Sequence, residues 1–401
     1  MHLRPYAHIL QGSTLSLRID SLVLREVRIP LRTPFRTSGG TTTERRVCVL
    51  ELRADGEAVA WSECVAGERP DYTAETIDTA WHVLERYAAP SVLGRAFDSP
   101  EEVADALSWI RGHPMARAAL EMGFWAFAAR RADRSLASFL GGVRDRVETG
   151  ATLGIDEDPE RMAARARAAV EAGFRKVKMK IAPGLDLEPA RRVREAIGPG
   201  VALAADANGA YRIQDADHLA RFDPLELSML EQPLPARDFA GLAFLQKRLA
   251  TPICLDESIE TVADVETMVA LGAGRIVNIK PGRVGGLAES LRIHDECARH
   301  GIPVWCGGML ETGLGRAYNA ALASLPNFSL PGDLYPASSY LASDIAAPEA
   351  VVEGGSVAVP DGPGVGVEVD VERVEGMAVR REVIWPAAGN EPAARPDRSI
   401  G

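Results

Sequence analysis

From about Ser21 the chain interleaves apolar and polar residues in three short runs, VLREVRIPL, VCVLELRA and AVAWSECV, which is the pattern of half-buried strands. Between the first two lies Phe35-Arg36-Thr37-Ser38-Gly39-Gly40-Thr41-Thr42-Thr43, whose small residues predict a mobile loop. Helical periodicity follows, most clearly in MARAALEMGFWAFAARR (115–131). Strands first and helices afterwards predict a separate α+β domain over residues 19–145.

After about Val147 the rhythm changes. The apolar runs ETGATLGI, KVKMKI, ALAADAN, LSMLEQP, ICLDES, RIVNIKP, PVWCGGM and FSLPGDL alternate with helix-like segments such as PERMAARARAAVEAG and GLAESLRIHDECARH. Eight such units over roughly 190 residues are what a (β/α)₈-type, TIM-type α/β barrel requires, and their even spacing favours closure over a doubly wound open sheet. Residues 146–340 are assigned to the barrel. No glycine-rich phosphate loop follows the first strand.

Charge and cysteine usage narrow the function class. The net charge is −11, from 45 basic and 56 acidic residues, so nothing favours a nucleic-acid or anionic-membrane partner. Five cysteines without C-x-x-C spacing argue against a disulfide framework or zinc ribbon and point to a reducing cytoplasm. The seven histidines are scattered, so a metal here would be held by oxygen. No apolar run is long enough for a membrane helix. Residues 1–18 carry His2, Arg4, His8 and Gln11 in place of a signal-peptide core and are expected to be a disordered extension. Residues 386–401 are expected to be a frayed tail.

Three carboxylates stand out by phase. Asp206 closes ALAAD, Glu231 closes LSMLE and Asp256 closes ICLD, each 25 residues from the next. One such acid could be a helix cap or an arginine's partner. Three in phase with successive strands converge on the barrel face where active sites form. Their mutual repulsion calls for a cation, and hard oxygen ligands imply Mg²⁺, or Mn²⁺. In Lys176-Val177-Lys178-Met179-Lys180 the two-residue period turns the lysines inward, with Lys178 and Lys180 near the mouth and Lys176 deeper and without a role. Lys280 ends the sixth strand-like run and Lys180 the second, so they face each other across an eight-stranded barrel. Two amines flanking a metal-held carboxylate point to removal of its α-proton on one face and return on the other. Metal coordination would stabilise the enediolate, and a cation together with a second ammonium favours the neutral form a lysine base needs.

The same residues carry a family resemblance. The K-x-K of Lys178 and Lys180, the D, E, D series, N-I-K-P-G-R-V-G-G (278–286) and C-G-G-M-L-E-T-G-L-G-R-A (306–317) together resemble the branch of the enolase superfamily that contains o-succinylbenzoate synthases and N-acylamino acid (N-succinylamino acid) racemases. P-F-R-T-S (34–38) and G-H-P-M-A-R-A-A-L-E-M (112–122) extend it into the first domain. Such sites pair a Lys or His base with Mg²⁺. The resemblance implies a modified (β/α)₇β barrel under an α+β capping domain, with residues 341–385 returning to that domain. It implies Asp206, Glu231 and Asp256 as metal ligands, Lys180 and Lys280 as the acid/base pair, and Lys178 as a contact to the substrate carboxylate. It further implies Asn208 and Thr152 near the substrate, Gly308, Met309 and Leu310 as the wall for its side chain, and Phe35 as part of a mobile lid. Arg283 matches a position linked to racemase-capable members; the plainer reading is an arginine paired with a rim carboxylate. The expected partner is a small carboxylate substrate, and relatives suggest a symmetric homo-oligomer.

The leading functional expectation is racemisation of N-acylamino acids with accompanying syn-dehydration to o-succinylbenzoate. The alternatives are a dedicated o-succinylbenzoate synthase of menaquinone biosynthesis, and a dipeptide epimerase or muconate cycloisomerase, against which the G-G-M-L-E-T-G-L-G-R-A run argues. A metal-dependent hydrolase needs a strand-end histidine that is missing from the pattern. A silent metal-binding barrel would have no physical reason to keep so costly a charge cluster.

Overall fold

The computed structural model describes residues 16–386; the expectations for residues 1–15 and 387–401 lie outside the described residues. Leu17–Arg18 pairs antiparallel with Ala96–Phe97 and Leu17 is fully buried, so the end of the expected extension is part of the first domain instead. An apolar side chain at Leu17 gains more by burial than a frayed end would.

The first domain is built on an antiparallel sheet of β1 (Ser21–Arg36), β2 (Thr41–Ala54) and β3 (Glu57–Cys64). Helix Pro114–Arg131 packs on this sheet. Gly123 allows the close approach, since a Cβ there would lie 2.6 Å from Leu52 Cδ1. The stretch expected to be a mobile loop over 35–43 is mostly strand. Phe35 and Arg36 pair with Thr42 and Thr41, leaving a turn at 37–40 closed by Thr37 N donating to the Gly40 carbonyl at 2.9 Å. The β-branched threonines favour the extended backbone, and the tip has partners on the barrel described below.

Seven parallel strands follow in sequential order: β4 (Ala151–Leu153), β5 (Lys176–Lys180), β6 (Ala202–Asp206), β7 (Met229–Glu231), β8 (Ile253–Leu255), β9 (Ile276–Ile279) and β10 (Val304–Cys306). The eighth expected strand, FSLPGDL, is not a regular strand. Pro331 cannot donate to a ladder, yet the segment still closes the ring. Phe328 bridges to Val304 on one side and Gly332 to Thr149 on the other. Gly332 N donates to the Glu148 carbonyl and Asp333 N to the Cys306 carbonyl, both at 2.9 Å. The last described strand, β11 (Ala378–Ile384), pairs with Leu22–Val27 of β1 and so returns to the first domain's sheet. No helix among the described residues is long and apolar enough to cross a membrane.

Candidate active site

Parallel register decides where the charges gather. Lys180 is level with Asp206, and Asp206 with Glu231, so neighbouring strands deliver these side chains at one height. Asp256 and Lys280 come one residue past β8 and β9, at the same carboxyl end. All three acids are fully buried. Val177 and Met179, on the opposite face of β5, are buried too, which is how a strand inside a helical shell can carry three lysines.

The two outer acids each meet a lysine. Lys180 Nζ donates to Asp206 Oδ2 at 2.6 Å and to Asn208 Oδ1 at 2.7 Å. Lys280 Nζ donates to Asp256 Oδ2 at 2.7 Å and to the Tyr72 hydroxyl at 3.0 Å. Between them, Glu231 Oε1 accepts from Asn278 Nδ2 at 2.8 Å. Its Oε2 accepts no hydrogen bond, and the Lys178 ammonium stands 3.3 Å away. Lys178 is also 3.5 Å from Asp206 Oδ2 and 2.5 Å from Asp333 Oδ2. Lys176 lies deeper, its Nζ 3.8 Å from the Trp305 ring centroid and donating to the Pro331 carbonyl.

These pairings set the titration behaviour. Burial opposes the Lys178 ammonium, but Asp333, Glu231 and Asp206 outweigh it and raise its pKa above the usual lysine range. Lys280 is likewise raised, with Tyr72, Glu231 and Glu257 overcoming burial. This is opposite to the depression expected of a base, because carboxylates face the amines directly. Burial would lift Asp206, yet Lys180 and Lys178 carry it below the carboxylate range. Glu231 moves the other way: burial and the neighbouring Asp206 both raise it.

Three carboxylates on adjacent strands, one with an oxygen lacking a hydrogen bond, form a hard donor set suited to a small divalent cation. As placed, two of them turn to lysines, and among the described residues no three Asp, Glu, His or Cys side chains are drawn into a ready-made metal cage. The donor chemistry and the charge fit Mg²⁺, with Asp206, Glu231 and Asp256 the residues that would hold it.

The other expected residues ring this centre. Asn208 turns through a left-handed backbone (φ 46°), a conformation asparagine tolerates, and donates Nδ2 to Glu257 Oε1 at 2.8 Å. Thr152 is paired with Lys178 across the ladder, and its buried hydroxyl faces the Tyr335 side chain. Gly308, Met309 and Leu310 follow β10 and are half-buried. Phe35 stands beside Gly154, in the hairpin whose tip reaches the barrel: Ser38 Oγ donates to the Ala207 carbonyl at 2.9 Å, and Ile155 N to the Arg36 carbonyl at 2.9 Å. Arg283 is buried behind the centre. It pairs with Asp256 and donates to the Ile259 and Asn278 carbonyls, so its guanidinium is spent on protein acceptors and holds Asp256 in place. A direct substrate contact by Arg283 finds no support in that geometry.

Four residues of the centre carry no role in the sequence pattern: Tyr72, Asn278, Glu257 and Asp333. Asn278 and Glu257 could have been found, being two residues before Lys280 and directly after Asp256. Tyr72 belongs to the other domain, and nothing local marks it.

Residues 19–141 match the mandelate racemase/muconate lactonizing enzyme N-terminal domain, and residues 161–374 the enolase C-terminal domain-like family. An N-succinylamino acid racemase from an Amycolatopsis species is 47% identical over 370 residues, 92% of this chain and 99% of its own. An o-succinylbenzoate synthase from Geobacillus stearothermophilus is 44% identical over 361 residues, 90% of this chain and 96% of its own. The crystal structure of an enolase-superfamily member from Listeria innocua superposes with a TM-score of 0.88 at 36% identity, covering 92% of this chain and 99% of that one.

Proposed function

The chain belongs to the enolase superfamily, and from that premise we propose that it is a Mg²⁺-dependent enzyme that removes the proton α to a carboxylate, racemising N-succinylamino acids and also forming o-succinylbenzoate by dehydration. The observation that carries the reading is the order of side chains on successive staves: Lys180, Asp206, Glu231, Asp256, Lys280. The two lysines stand four staves apart in a ring of seven strands and one closing segment, so they address opposite faces of anything held on the acids between them.

When bound, Mg²⁺ would stabilise the negative charge that develops on the substrate carboxylate as the α-proton leaves. A divalent cation on the same acids would also weaken the field that raises Lys178 and oppose the one at Lys280, favouring the neutral form a base needs. One lysine takes the α-proton. The other, protonated, returns one to the opposite face and inverts the centre. Lys178, held by Asp333, offers its charge to the substrate carboxylate. The Phe35 hairpin and the Gly308–Leu310 segment bound the space for the side chain and keep water out. In the dehydration one lysine suffices as base, with the other acting as a cation. Five buried free thiols support a cytoplasmic setting.

The test is proton NMR of N-succinyl-L-phenylalanine in D₂O with Mg²⁺, with and without chelator. Loss of the α-proton signal together with optical rotation, both stopped by chelator, is the expected result. An α-proton and a rotation that both persist would remove the racemase reading and leave dehydration as the activity to measure.

A further inference from the structure

The two lysines differ in what holds them. Among the described residues, Lys180 is bound only by groups of the barrel, Asp206 and Asn208. Lys280 shares its barrel acid with a group from the capping domain: the Tyr72 hydroxyl accepts from Lys280 Nζ at 3.0 Å and donates to Asp256 Oδ1 at 3.2 Å. The phenol therefore bridges the amine and its acid, and the amine lies 4.8 Å from the ring centroid. Tyr72 sits in the segment between β3 and the helix Ile77–Val83, which also touches the hairpin tip: Arg69 donates to the Gly39 carbonyl at 3.3 Å, and Gly39 packs against the Asp71 backbone. That tip reaches the Lys180 side only through the backbone, by Ser38 on the Ala207 carbonyl. The cap thus touches both walls of the mouth but grips the reacting amine of one.

We propose that Tyr72 is a positioning residue for Lys280, so that proton transfer at Lys280, and not at Lys180, depends on the seating of the capping domain. The physical reason is directional. An ammonium on four rotatable bonds has no fixed orientation of its own. Asp256 is already shared with Arg283, and the phenol supplies the second fixed point that aims Lys280 at the α-carbon. Lys180 finds its second point in Asn208, a residue of its own barrel face.

This rests on the two-lysine reading above, and the experiment separates the two. The α-proton exchange of N-succinyl-L-phenylalanine and N-succinyl-D-phenylalanine is measured separately in D₂O with Mg²⁺, for wild type, Lys280→Arg and Tyr72→Phe. Lys280→Arg identifies the enantiomer whose proton Lys280 takes, by abolishing its exchange. Tyr72→Phe keeps the ring and its packing. It is expected to slow exchange of that same enantiomer by about 10- to 100-fold, the worth of one hydrogen bond to a charged group. The other enantiomer should stay within about twofold, and racemisation should fall with the slower one. Equal slowing of both enantiomers, or of neither, overturns the positioning role while leaving the two-lysine reading intact. A wild type that exchanges neither enantiomer overturns that reading and this inference with it.

Discussion

Two groups of buried carboxylates in this molecule behave oppositely. At the barrel mouth Asp206 and Asp256 meet ammonium groups, and Asp206 is driven well below the carboxylate range by Lys180 and Lys178 despite its burial. Where the capping elements meet the barrel and one another, Glu63, Glu75 and Glu121 meet backbone N–H groups at the starts of helices. Glu121 accepts from Leu287 N at 2.9 Å, Ala288 N at 2.8 Å and Trp125 Nε1 at 2.6 Å. Glu75 accepts from Met115 N and Ala116 N, and Glu63 from Thr312 N and its hydroxyl. These amides satisfy geometry but carry only partial charge, so burial prevails and each acid is raised to about 7. The first arrangement concentrates full charges that can exchange partners. The second pins one element to another. Within these two groups the same residue type meets an ion at the mouth and a dipole at the helix starts.

The largest effect that separates the two regions should come from Lys280→Met, which removes the charge but keeps the length. Racemisation of N-succinylphenylalanine should fall by at least about 10³-fold, the scale of a lost general acid or base. Stability should change little, because Asp256 keeps Arg283 and the Tyr72 hydroxyl as partners. Thermal unfolding measured beside activity decides it. A large drop in Tm would mean that the mouth is architecture after all.

Glu121→Ala is the converse and next in size. It strands three buried donors, which at about 1–3 kcal/mol each gives a loss of about 3–5 kcal/mol once local relaxation is allowed for. Urea unfolding reads it, and the activity of the protein that remains folded should be within about twofold of wild type. A stable variant with lost activity would break the distinction from the other side.

What the sequence made legible follows the same divide. The mouth was readable because strand period and βα spacing put charge in phase: Asp206, Glu231 and Asp256 recur at 25-residue intervals, and Lys178 and Lys180 share one face of β5. Closure was readable as topology but not as a regular eighth strand, since Phe328 and Gly332 close the ring by isolated bridges. The 35–43 stretch reads as a loop by composition, yet tertiary pairing across Phe35 and Thr42 makes it a hairpin. The residues that pin and aim were the least visible. Tyr72 meets Lys280 across 208 positions, and Glu121 meets Leu287 across 166. A long-range partnership of a single side chain with a single group leaves no period for a pattern to catch.

The smallest expected effect concerns pH and is read at the pinning acid Glu121. For Glu121 the ordinary value of 4.5 applies to the unfolded chain and about 7 to the folded one. Below about 4.5 the acid is protonated in both states and costs nothing. Between the two values the folded state holds a proton that the unfolded state has released, so by linkage stability falls as pH rises. Above about 7 both states are ionised and the loss is complete, on the order of 3 kcal/mol at most for one such acid. Glu63 and Glu75 share the direction and the window. The urea midpoint of the wild type should therefore decline from pH 5 to pH 7.5 more steeply than that of Glu121→Gln, which cannot ionise. A slope untouched by Glu121→Gln would mean that the backbone amides, and not burial, govern this acid, and the contrast between ion-paired and dipole-paired carboxylates would have to be redrawn at that position.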